Sequence, residues 1–221
     1  MGLSFYESEH RMLPGIHLPV RAVLVTTELG NILLSPIDFS ARQIDEIRSQ
    51  GEVIAIVEPN TFHNKWAMSA KRAFPKAPLW GVPGSAKRNA KARWEKTLTV
   101  DEWPFEAELP HQFLAGADKI NEVVFLELST RTLLVTDLVF NILKPKGVLA
   151  PLAFRMMGYY KRFAVSTVWG RAVKDRPAFA ASLQRVLAWD FDRLIMSHGK
   201  MIASGAKPKL EAALREAGWL T

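Results

Sequence analysis

Three apolar runs in this chain each lead to a residue able to hold a metal. Glu52–Val57 leads through Pro59 to His63, Leu133–Thr136 leads to Asp137, and Leu194–Ser197 leads to His198. Two imidazoles and a carboxylate are enough to bind a transition metal and leave positions open for water or substrate. The three lie far apart in the chain, so only a fold that gathers strand ends could make them one site.

The order of local signals says what kind of fold that is. Residues 21–27 and 31–34 flank Glu28-Leu29-Gly30 and predict a β-hairpin. Ser40 with Gln43 three residues on forms a capping box, so a helix is expected over Ala41–Gln50, ahead of Gly51. Further helices are predicted over 65–74, stopped by Pro75, through the basic stretch up to Trp94, over 177–189, and over 208–217 with Gly218 as its stop. Residues 148–165 also read as mostly helical, and 97–114 as irregular, broken at Trp103-Pro104 and Leu109-Pro110. Residues 122–128 and 131–138 predict a second, tight hairpin, 78–80 a brief strand, and Leu194–Met196 a last short one. Strands alternating with helices, plus two hairpins, argue for one layered α/β domain over residues 1–221, with mixed sheets.

Composition narrows the chemistry. The chain has no cysteine, which excludes disulfides, thiol nucleophiles, cysteine zinc fingers and iron–sulfur clusters, so any metal must be held by His, Asp, Glu or Asn. The N-terminal residues do not read as a signal peptide, and the greasy stretch 148–160 is broken by Pro151 and Arg155, so a cytoplasmic protein without a transmembrane segment is expected. The net charge is +7. Between Lys71 and Lys96 lie eight basic residues and one acid, Glu95, an excess equal to that of the whole chain. Lys71, Arg72, Lys87, Arg88, Lys91 and Arg93 are therefore candidate anion-binding residues, against the plainer alternative of a solvated face.

The residues also resemble a known family. The hairpin, Leu33-Leu34-Ser35-Pro36, the capped helix, the strand and Glu58-Pro59-Asn60-Thr61-Phe62-His63 look like the opening of the metallo-β-lactamase fold. Thr132 through Asp137 to Phe140 resembles that superfamily's strand ending in a bridging aspartate, and Asp192 through His198-Gly199 its late strand ending in His-Gly. Ser35-Pro36, Pro59-Asn60 with His63, Pro83-Gly84, residues 122–125, and Thr132 through Asp137 to Asn141 are similar to its branch known as DUF4336 proteins. The resemblance implies an αββα sandwich whose edge loops build the active site of a zinc- or iron-dependent hydrolase. Where the superfamily reads His-x-His-x-Asp-His, residues 60–65 supply only His63, and a further His ligand has no counterpart near Ala117–Glu122. At most one metal (Zn, Fe or Mn) is then expected, held by His63, Asp137 and His198, with Asp137 also catalytic.

Glu122 is a candidate fourth ligand or an acceptor for a histidine N–H. Lys65 is a candidate to fill the vacant ligand position and pair with Asp137, against the plainer alternative of an exposed lysine at a helix start. His10, His17 and His111 read as surface histidines, and Ser197 is expected to point away from His198, so no Ser–His nucleophile follows. Gly81–Gly84 is no P-loop, since no Lys-Ser/Thr follows. Trp66, Trp80, Trp94, Trp103 and Trp169 are divided between core and pocket, and the aromatic and Met set in 148–163 between a buried helix and a lid or partner-facing surface. Three functions compete. One is a metallohydrolase acting on a small molecule; another is a metal-free relative that keeps the cleft for a small-molecule or protein ligand. The third is an anion-binding module on residues 71–96, with nucleic acid a weak prospect because no recognised motif appears.

Overall fold

A computed structural model describes residues 2–220. Strands β1 (Gly2–Leu13), β2 (Ile16–Thr26), β3 (Asn31–Leu34), β4 (Val53–Val57), β5 (Leu79–Gly81) and β6 (Lys96–Thr97) form one sheet in that order. Its first two pairings are antiparallel and the other three parallel. β7 (His111–Phe113), β8 (Val123–Glu127), β9 (Thr132–Val135) and β12 (Arg193–Met196) form the second sheet, in the order β12-β9-β8-β7. A separate pair joins β10 (Val139–Asn141) to β11 (Phe163–Val165).

The two sheets lie face to face because their central strands are apolar on both sides. In β8, Val123 and Phe125 join the core between the sheets, while Val124 and Leu126 join the core behind the second sheet. Leu134 and Ile195 face inward, as do Ile32 and Leu34 from the opposite sheet. Alternation in direction without alternation in polarity is what a strand covered on both faces requires. Helices α1 (Ala41–Ser49) and α2 (Ala67–Ala73) cover the first sheet with Ile47, Ala67 and Ala70. Helices α5 (Val168–Ala172), α6 (Arg176–Ala188) and α7 (Ala206–Glu216) cover the second with Trp169, Phe179, Leu183 and Leu210. The order is helix, sheet, sheet, helix, an αββα sandwich with mixed sheets.

Local chemistry explains most boundaries. The Ser40 hydroxyl accepts from Gln43 N, and the Gln43 side chain accepts from Ser40 N at 2.9 Å, which starts α1 where the capping box places it. Elsewhere the expectations need correction. The first residues form β1, a long strand paired with β2 along its whole length, so His10 and His17 sit in strands rather than irregular chain. Beyond α2, the basic stretch is helical only in α3 (Ser85–Arg88). Beyond it, the Trp94 indole donates to Asn89 O and Glu95 N to Leu79 O, drawing the chain across toward β6. Residues 148–165 are helical only in the short α4 (Ala150–Met156), and the range ends in strand β11. Gly158, at φ +83°, ends it: Gly158 N donates to Arg155 O and Tyr159 N to Phe154 O, the paired bonds of a glycine-stopped helix. Residues 97–114, expected to be irregular, contain the short strand β7 on the edge of the second sheet. No helix among the described residues is long and apolar enough to cross a membrane.

Candidate metal centre

The ends of β4, β9 and β12 bring the three expected residues together. His63 Nε2 lies 3.1 Å from His198 Nε2 and 3.4 Å from Asp137 Oδ2, and His198 Nε2 lies 3.1 Å from Asp137 Oδ1. Among the described residues this is the set of His, Asp and Glu donors close enough to share one ion. Ligand atoms bound at ~2.0–2.1 Å around a tetrahedral ion stand ~3.3 Å from one another. The two imidazoles meet different oxygens of Asp137 at about this spacing, and one ligand atom from each residue lies within 4.8 Å of the others, close enough to share one ion.

Each donor is aimed by a second bond. His198 Nδ1 is 2.8 Å from the carbonyl oxygen of Pro19. A carbonyl only accepts, so Nδ1 carries the proton and Nε2 offers its lone pair to the centre. The His198 ring is stacked on Phe140 at 5.0 Å, and Phe140 on Tyr159 at 4.3 Å, which fixes its tilt. His63 Nδ1 meets the Ser35 hydroxyl at 2.7 Å. Ser35, just after β3, is at φ +51°, an uncommon conformation for a residue with a side chain.

Arg21, buried within β2, donates to Gly199 O at 2.7 Å and to Met196 O, clamping the segment that carries His198; its charge is met by Glu7. Gly199 itself is at φ +104°, and a Cβ there would stand 2.2 Å from Asn141 O. Only glycine lets β10 approach so closely.

Asn60 and Glu122 shape the remaining side of the centre. The Asn60 oxygen accepts from Phe62 N at 2.8 Å and His63 N at 2.9 Å, which fixes the amide's orientation. Its Nδ2 then donates to Asp137 Oδ2 at 2.8 Å and Thr136 Oγ1 at 2.9 Å. Glu122 is fully buried and caps the turn after β9. Its carboxylate accepts from Thr136 N and Asp137 N, each at 2.9 Å, and from Leu138 N at 3.2 Å. It therefore holds the Asp137 backbone and accepts from neither histidine, in place of the expected ligand or histidine-acceptor role.

The charges bind one another. Burial opposes ionisation of Asp137, but the two histidines outweigh it and hold its carboxyl below the usual range. Burial lowers His63, yet the charge and hydrogen bond of Asp137 raise it overall. Burial, then the charge of Asp137, pushes Glu122 up to about 7.

Lys65 is not in the centre. Its ammonium is 3.0 Å from His10 Nδ1 and 5.1 Å from the Trp66 ring centroid, so the expected pair with Asp137 does not form. The exposed position of Lys65 explains this, since an ammonium keeps its hydration there. His10, half-buried, lines the mouth of the cavity above the centre with Lys65, where only a surface histidine was expected. The Ser197 hydroxyl meets the Ser35 hydroxyl at 3.3 Å.

That cavity, of about 370 Å³, is walled largely by apolar and aromatic side chains, including Leu18, Phe62, Trp66, Phe140, Tyr159 and Trp169, with His63, Asp137 and His198 at its base. Trp169 also donates to Asp137 O at 2.8 Å. Trp66 and Trp169 thus belong to the pocket, whereas Trp80 and Trp103 pack edge to face in the inter-sheet core. Buried there, Trp80 offers no stacking surface, and Trp94 is partly buried behind the first sheet. Of the basic candidates, Lys71 is taken up by Glu95 at 2.6 Å and by Ala77 O, and Arg88 lies over the Phe62 ring. Arg72, Lys87, Lys91 and Arg93 are exposed.

The sequence signals missed Ser35, Asn60, Arg21 and the Pro19 carbonyl. Ser35-Pro36 and Pro59-Asn60 were visible as motif residues, but their side-chain duties were not.

Comparison with known proteins places this geometry. No family model matches the sequence, and no curated protein does. Solved structures do. The DIM-1 metallo-β-lactamase is 13% identical with a TM-score of 0.66, covering 97% of this chain and 93% of that one. A metallo-β-lactamase from Pontibacter korlensis is 17% identical with a TM-score of 0.64, covering 97% and 94%. FIM-1 from Pseudomonas aeruginosa, in its mono-zinc form, is 14% identical with a TM-score of 0.61, covering 99% and 92%. The chain has the metallo-β-lactamase fold.

Proposed function

We propose that this protein is a metal-dependent hydrolase of the metallo-β-lactamase superfamily with a one-metal centre held by His63, Asp137 and His198. The gathering of these three side chains, with pairwise contacts of 3.1 to 3.4 Å, carries the reading. A bound zinc, iron or manganese ion supplies a Lewis acid that polarises a carbonyl or phosphoryl oxygen of the substrate.

The chain's own residues do the rest. Pro19 and Ser35 keep both histidine Nε2 atoms turned to the centre. Asp137 offers the carboxylate and is the group placed to orient a water at the base of the cavity. The apolar walls exclude bulk water and favour a small substrate with an apolar body. Asn60 limits the centre to one ion, because its amide occupies Asp137 Oδ2 with a hydrogen-bond donor, and a donor repels a second cation. A relative of the same fold, FIM-1, has been obtained with a single zinc. The motif residues Ser35-Pro36 and Pro59-Asn60, now seen around His63, support placing the chain in the DUF4336 branch.

The test is elemental analysis of protein purified without chelator or His-tag. About one zinc, iron or manganese per chain is expected, lost in His63→Ala and in His198→Ala, together with metal-dependent hydrolysis in a screen of esters, thioesters, lactones, lactams and phosphoesters. No bound metal after incubation with excess ions would overturn the reading.

A further inference from the structure

Residues 138–174 contain seven lysines and arginines and no aspartate or glutamate. The same stretch displays the largest exposed hydrophobic side chains of one face. Helix α4 buries Ala150 and Phe154 against β2 and β10, while Leu149, Leu152 and Met156, spaced along its other side, stay in solvent. Val148 is 88% exposed and Met156 74%.

The hairpin between β1 and β2 extends the patch. Leu149 N donates to Gly15 O at 3.0 Å, a Cβ on Gly15 would touch Val148 and Leu149, and Leu13 beside it is 57% exposed. Around this apolar surface stand Lys144, Lys146, Arg155 and Lys161, all exposed, with Arg155 and Lys161 laid against the Tyr160 ring. Among the described residues, Glu9 pairs with Lys146 and no acid pairs with the other three.

We propose that this face docks on an anionic lipid bilayer. Exposed aliphatic side chains enter the acyl boundary, and a ring of cations meets acidic headgroups, each worth a few-fold in binding. A second copy fits the face poorly, since a two-fold contact would set the acid-free cationic segment against itself. Met12 and Met157, chain neighbours of Leu13 and Met156, line the wall of the cavity above His63 and His198. The bilayer is thereby brought to the mouth of the cavity, and an apolar substrate would enter from lipid. That last consequence rests on the hydrolase reading; the docking does not.

The full chain is floated with vesicles of phosphatidylcholine alone and with vesicles containing ~30 mol% phosphatidylserine. Binding at least ~tenfold stronger to the anionic vesicles is expected, weakening as salt is raised. Leu152→Asp with Met156→Asp should abolish it, and Lys144→Glu with Lys161→Glu should reduce it about tenfold. All four side chains are exposed, so both double variants should melt with the parent. The proposal fails if the chain floats with neither vesicle, or if the apolar double variant floats like the parent. It fails equally if the chain is a dimer in solution that the apolar variant dissolves, which would give the patch to a second copy. Metal content enters none of these outcomes.

Discussion

His198 Nδ1 lies 2.8 Å from the carbonyl oxygen of Pro19, a residue 179 positions earlier in the chain. The bond decides which nitrogen of the ring is protonated and hence which faces Asp137. It joins β2 to the loop after β12, so one hydrogen bond links the architecture to the chemistry.

His198→Asn tests that assignment. The shorter amide keeps a donor for Pro19 O but has no atom where Nε2 lies. Metal affinity should fall by more than the roughly 10–100-fold that the loss of an outer partner costs. The lost stacking on Phe140 should cost about 1–2 kcal/mol of stability. Chelator competition and thermal melting measure the two separately, and retained affinity would remove His198 from the ligand set.

Ser35→Ala removes the partner of His63 Nδ1 and nothing that touches the ion. Metal affinity is expected to fall ~10–100-fold, with stability changed by about 1 kcal/mol. Zinc titration of the metal-free protein checks the first figure and urea unfolding the second. An unchanged affinity would mean that packing alone orients His63.

Glu58 gives a pH signature unrelated to metal. Both of its carboxylate oxygens are buried without a hydrogen-bond partner, and burial raises its pKa well above the usual 4.5. The folded chain thus holds this proton to a higher pH than the unfolded chain does. Its contribution to stability is complete below pH ~4.5 and is lost as pH climbs toward the folded value. Glu58→Gln, neutral at every pH, should match the parent near pH 4.5 and become the more stable protein by ~1.4 kcal/mol per pH unit above it, up to the folded pKa. Urea unfolding of both proteins across that range reads the gap; a constant gap would show that Glu58 ionises normally.

Gly199→Ala combines a left-handed backbone with a Cβ 2.2 Å from Asn141 O. The backbone term alone costs about 1–2 kcal/mol, and the clash must move β10 or His198 as well. A lower melting temperature together with weakened metal binding is expected. A variant as stable and as tightly metallated as the parent would show that this loop relaxes freely.

Much of the framework was legible in the sequence because its signals were local. The capping box at Ser40 and Gln43, the apolar runs at 53–57, 123–127 and 193–196, and the glycine stop at Gly218 each act within a few residues. The gathering of His63, Asp137 and His198 was legible mostly through the family resemblance, to which their places after apolar runs added. What escaped had no local signature. A backbone carbonyl such as that of Pro19 is the same atom in every residue, so its role could not be read. Lys65 looked like a replacement for a metal only while its distance from Asp137 was unknown; the partner it meets, His10, comes from β1, a strand whose mixed polarity hid it. The helix expected over 148–165 failed at Gly158, a stop signal that was present but outweighed by the aromatic and Met residues around it.

The clamp of Arg21 on Gly199, 178 positions apart, and the bond of His198 to Pro19 have a consequence for biogenesis. Contacts this distant in sequence are entropically expensive to close and tend to form slowly. A nascent chain can pair β1 with β2 early, yet it owns no centre until β12 has left the ribosome. Any product released before Gly199 lacks both contacts, so the three side chains can be gathered only once the last strand is made.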